Sequence, residues 1–121
     1  MGIEVAVGTE ENLKNAAGKM PDFRTMEEAA AYIRGFLDSA KKKGEEPAVL
    51  YYTAPGGKPS EQFSSINRFE KPIVEYLRTH DAPKTVRIVC DSEETARFCK
   101  VVYNMYYADS KEERIEDAQW D

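Results

Sequence analysis

The stretch Pro47-Ala48-Val49-Leu50-Tyr51-Tyr52-Thr53-Ala54-Pro55-Gly56-Gly57-Lys58-Pro59-Ser60 decides the fold. Its first half is an apolar run without polar alternation, the pattern of a strand covered on both faces, and it is expected to be central in a sheet. The second half is a Pro-Gly-Gly-Lys turn leading into helical spacing. Glycines bring the backbone close to whatever lies at the end of a strand, and a helix N-terminus favours an anion.

Downstream of the turn, Phe63, Ile66, Phe69 or Glu70, Ile73 and Leu77 repeat at helical spacing over about residues 60–79. Pro72 interrupts this pattern, because it lacks an amide donor and disfavours helix at Lys71; a kink or two separate helices is expected. Thr85 to Cys90 reads as another strand, with Val86, Ile88 and Cys90 on one face. Asp91 with Glu94 then forms a capping pair for a last helix carrying Phe98, Val102 and Met105, beside Cys99 and Tyr106.

Upstream, Thr25 and Glu28 make a capping box for a helix with Ala29, Ile33, Phe36, Leu37 and Ala40 on one stripe. Lys41, Lys42 and Lys43 sit in its last turn and Gly44 just beyond, as the helix dipole and a left-handed cap prefer. Ile3, Val5 and Val7 alternate with Glu4 and Ala6 as a half-buried strand, closed by Gly8. Thr9 can cap a short helix to about Ala17, stopped by Gly18.

Strands separated by helical crossovers cannot be hairpins, so they must be parallel. The expected fold is a small three-layer α/β/α domain with a mostly parallel sheet, formed by residues 1–108 and followed by an acidic tail, 109–121. The chain has 121 residues, 41% of them hydrophobic and 32% charged, within the range of one ordinary globular domain.

Net charge is −5, and residues 109–121 hold six acids and two bases, or −4 of it. The remainder is nearly neutral, so a broad basic face for duplex nucleic acid is not expected. No apolar run approaches the ~20 residues of a membrane span, and residues 1–18 lack signal-peptide order, so a cytosolic protein without membrane association is expected. Cys90 and Cys99, spaced C-x8-C, have no metal or redox motif and read as buried structural thiols rather than a reactive or bridged pair. No set of residues has metal-ligand spacing.

With the elements laid out, about residues 30–108 resemble the second half of a macro domain, the ADP-ribose-binding α/β module. The resemblance rests on the helix before Ala40, the strand Val49–Tyr52, the loop with Thr53, Gly56 and Pro59, and the run Val86-Arg87-Ile88-Val89-Cys90-Asp91-Ser92-Glu93-Glu94 followed by Phe98. Gly8-Thr9-Glu10 stands where the family has a Gly-Asp-hydrophobic motif. Asn15-Ala16-Ala17-Gly18 is similar to its Asn-Ala-Ala-Asn, without the flanking strand and glycine loop.

The resemblance implies a phosphorylated small-molecule ligand, of nucleotide or ADP-ribose type, at the strand C-termini. Its candidate contacts are Thr53, Gly56, Gly57, Lys58 and Ser60, with Gly8, Thr9, Asp91 and Ser92; no resident cofactor and no catalytic group is expected. The alternative for the loop is a plain Pro-Gly turn. In that case the chain is a regulatory or interaction domain whose aromatic last helix (Tyr103, Met105, Tyr106, Tyr107) and acidic tail engage a protein partner or a second copy. His80, the single histidine, reads as a helix-end cation rather than a catalytic base.

Overall fold

The computed structural model describes residues 2–8, 20–21, 23–54, 57–108 and 115. In chain order these form β1 (Gly2–Val7), α1 (Met26–Lys43), β2 (Ala48–Tyr52), α2 (Pro59–Thr79), β3 (Thr85–Cys90) and α3 (Glu93–Tyr106). The short helix anticipated over residues 9–17 lies outside the described residues.

All three strands are parallel, as the crossovers require, but their order is β1-β3-β2. The expectation that β2 is central is therefore corrected. β3, last in sequence, is flanked on both sides, and β2 is an edge strand. The apolar run in β2 misled because Val49 and Tyr51 are only half-buried, while Ala48, Leu50 and Tyr52 alone are buried.

Register sets the core. Ile3, Val86 and Ala48 form one row, Val5, Ile88 and Leu50 the next, and Val7, Cys90 and Tyr52 the last. On this face Val86, Ile88, Leu50 and Cys90 are fully buried, and each large aliphatic side chain contributes about 1.5–3 kcal/mol. The opposite face carries the exposed Glu4 paired with Arg87 at 3.0 Å, between side chains that are half accessible, so this pair adds little stability.

The helices lie in a row, with α2 between α1 and α3. Phe69 of α2 packs on Tyr52, ring centroids 4.7 Å apart, and Cys99 of α3 meets Cys90, both on the buried face. The Tyr76 hydroxyl donates to Asp38 at 2.6 Å and ties α2 to α1; burial and then this bond push its pKa up to about 12.

The helix ends follow their sequence signals with two corrections. α1 starts at Thr25, whose hydroxyl accepts from Glu28 N, and stops at Gly44 in the left-handed region (φ 68°). Of the two outcomes expected at Pro72, two separate helices do not form: one helix runs from Pro59 to Thr79 with Pro72 buried inside. The core contacts of Phe69, Ile73 and Tyr76 on either side of the proline outweigh the lost backbone bond. The second correction is at α3, where the cap is Ser92, which accepts from Thr95 N at 3.1 Å; Asp91 is left exposed.

Candidate ligand site at the strand C-termini

Parallel register brings three of the candidate residues together. Val7, Cys90 and Tyr52 are level, so Gly8, Asp91 and Thr53 follow them along one edge of the sheet, and Gly8 N extends the ladder to Cys90 O at 2.9 Å. Because β3 is central, Asp91 stands in the middle of this row. Asp91 is exposed, and Gly8 and Thr53 are half-buried.

The loop after Thr53 leads into α2. Gly57 adopts φ 106°, a conformation that side-chain-bearing residues rarely take, and Gln62 Nε2 donates to its carbonyl at 3.2 Å. Lys58 is the exposed N-cap residue in extended conformation, with no side-chain cap bond, and Pro59 takes the first helical position. Gly56 and Thr9 lie outside the described residues.

Counting donors limits what this turn offers an anion. Pro59 has no N–H, and Glu61 N and Gln62 N both donate to Lys58 O, at 3.0 and 3.1 Å. The first-turn amide of α2 that no such bond uses is that of Ser60. Moreover, the Glu61 carboxylate folds back onto Gly57, so a negative group of the chain itself already sits at the positive end of the helix dipole. Sequence reading missed Glu61; an acid four residues after a turn glycine, in the first helical turn, was the available signal.

Ser92 is committed as well. It accepts from Thr95 N and donates to Thr95 Oγ1 at 3.0 Å, which uses its donor and one acceptor site on the cap. Of the candidates, Lys58, Ser60 and Asp91 are exposed and Thr53 is half-buried, while the Gly8 amide is already engaged by Cys90 O.

Compared with known protein families, characterised proteins and solved structures, the chain matches none.

Beneath the edge lies a cluster that the periodicity only half signalled. Glu70 is fully buried, and neither carboxylate oxygen has a hydrogen-bond partner. Burial, and secondarily Cys90, raises its pKa well above the ordinary carboxylate range, which favours the neutral acid. Cys90 and Cys99 are buried free thiols 3.7 Å apart, as the sequence suggested; burial first, then Cys90, raises Cys99.

His80 is the C-cap residue of α2, at the other end of that helix from the loop, about 30 Å along its axis. Its ring stacks on Tyr76 with centroids 3.7 Å apart, and Nδ1 lies 2.9 Å from Thr79 Oγ1 and 3.1 Å from Tyr76 O. Among the described residues no group of three metal-ligating side chains occurs, and no helix is long and apolar enough to cross a membrane.

At the far end of α3, Tyr103 is buried, whereas Met105 and Tyr106 are 62% and 64% exposed. Asn104 pairs with the backbone of Ile115 in both directions: Nδ2 donates to Ile115 O at 3.0 Å and Oδ1 accepts from Ile115 N at 2.8 Å. Ile115 packs partly against the core, so the acidic segment has a specific anchor, which its composition did not foretell.

Proposed function

We propose that the chain is a macro-like module that binds a phosphorylated small molecule, of nucleotide or ADP-ribose type, at the carboxyl edge of its sheet. The observation that carries this reading is the convergence of Gly8, Thr53 and Asp91 at one edge of an all-parallel sheet, with Lys58 and Ser60 on the adjoining turn. Ligands of open α/β sheets bind in that position. Lys58 supplies the positive charge, Thr53 and Ser60 the hydroxyls, and Asp91 suits a ribose hydroxyl. Glu61 must leave Gly57 for a phosphate to enter.

Calorimetry with ADP-ribose, a nucleoside diphosphate and inorganic phosphate tests the reading. Saturable binding that weakens about tenfold or more in Lys58→Ala and Gly57→Val, equivalent to about 1.4 kcal/mol, is expected. Absence of binding to all three, or binding indifferent to both substitutions, overturns it.

A second reading has its own support in the exposed Met105 and Tyr106 beside the Ile115 anchor. In it, the end of α3 and the acidic segment engage a protein partner or another copy of the chain. Removing residues 109–121 then abolishes self-association or partner capture while loop variants leave it intact.

A further inference from the structure

The ligand reading uses neither cysteine. Cys90 closes β3 and Cys99 lies in the second turn of α3, and the Asp91–Ser92 turn runs between those elements. Both side chains are fully buried, with sulfurs 3.7 Å apart. A disulfide requires about 2.0 Å, so the sulfurs need to approach by roughly 1.7 Å to bond. They belong to the same core as Ile88, Phe98 and Val102, and the buried Glu70 carboxyl, which no donor satisfies, lies close enough to act on both.

We propose that Cys90 and Cys99 are a redox pair that closes to an intramolecular disulfide on exposure to hydrogen peroxide, fixing the Asp91–Ser92 turn against α3. One thiol, giving up its proton, attacks a peroxide oxygen as thiolate; the O–O bond breaks, and the departing hydroxide takes that proton, leaving a sulfenic acid and one water. The second sulfur displaces the hydroxyl of that sulfenic acid, forming the S–S bond and a second water. Two thiols and one hydrogen peroxide thus give one disulfide and two waters, the two electrons passing from sulfur to oxygen.

The geometry also specifies the product. The sulfurs face each other and are closed to solvent, so a bridge to another chain is not accessible without unfolding. A small hydroperoxide is the fitting oxidant, because a bulky disulfide reagent cannot reach either sulfur.

The test uses the folded full chain treated with hydrogen peroxide, then denatured, alkylated and weighed. Expected is a mass loss of about 2 Da for the two hydrogens, with neither cysteine alkylated and reversal by dithiothreitol. Trypsin cleaves after Arg97, between the two cysteines, so the bridge is read as peptide 88–97 linked to peptide 98–100. Untreated protein takes two alkyl groups. The proposal is overturned if both thiols remain alkylatable after oxidation, if only oxygen additions to single cysteines appear, or if the bridge is between chains. These outcomes concern wild-type protein, do not depend on any variant folding, and are indifferent to whether the edge binds a phosphorylated ligand.

Discussion

The Glu61 side chain closes over Gly57: a methyl group built on Gly57 would overlap the Glu61 carboxylate. The glycine is required for its backbone angle of 106°, whereas the exposed Glu61 carboxylate, the far end of a flexible side chain, can swing away from an added methyl group. Gly57→Ala is expected to destabilise the fold by about 1–3 kcal/mol, read by urea or thermal unfolding. If the turn rearranges without cost, the loss will be absent.

The same contact makes Glu61 a competitor of any incoming anion. Glu61→Gln is expected to raise the affinity for inorganic phosphate and for a nucleoside diphosphate several-fold, by removing a like charge from the helix start. Calorimetry on the two proteins in low-salt buffer measures it. Unchanged or weaker binding argues that the acid does not stand in the anion's place.

Glu70 gives the fold a pH dependence of unusual sign for a carboxylate. Its folded pKa is raised by burial above the ordinary value of 4.5, so between that value and the folded pKa the native chain holds a proton that the unfolded chain has released. Its contribution to stability is complete below pH about 4.5 and declines as pH rises, by up to about 1.4 kcal/mol per pH unit. Glu70→Met removes this decline and, by replacing a buried unsatisfied acid with an apolar side chain, is expected to stabilise at pH 7 by about 1–3 kcal/mol. Urea titrations of both proteins from pH 4 to pH 8 give the comparison.

Capping and period were legible because they are local: Thr25 with Glu28, Gly44, and the β3 alternation all act within a few residues, and the elements they define are present. Strand order was not legible, since it depends on which edges meet after crossovers, and apolarity in β2 imitated centrality. Pro72 leaves α2 undivided for a related reason, its local penalty being offset by distant packing. At the candidate site, the Gly8, Thr53 and Asp91 row follows from parallel register and could be foreseen, whereas the Glu61 tenancy and the Ser92 cap needed side-chain directions that spacing does not supply.

Glu46 holds the start of β3 from 38 and 39 residues away, its two carboxylate oxygens accepting from Lys84 N at 2.7 Å and Thr85 N at 2.8 Å. Glu46→Ala leaves both amides to water and is expected to cost about 1–2 kcal/mol, the residue being exposed. Denaturant unfolding measures the loss, and faster exchange of the Thr85 amide locates it.

Asn104 acts as a strand-like partner for Ile115, offering one donor and one acceptor to its backbone. In Asn104→Ala the Ile115 amide is expected to exchange with solvent about tenfold faster or more, corresponding to about 1.4 kcal/mol of local protection. Hydrogen exchange at that single amide decides it. Unaltered protection assigns the anchor to packing alone.

The position of β3 has a consequence for the chain as it leaves the ribosome. β1 and β2 do not pair with each other, and the strand that joins them is the last of the three in sequence. A nascent chain that has emerged through α2 therefore carries two strands and no sheet. Backbone pairing begins only when residues 85–90 insert between strands already waiting, so assembly is a late, non-local and cooperative event, and until then both strands present unpaired edges to whatever chaperone receives them.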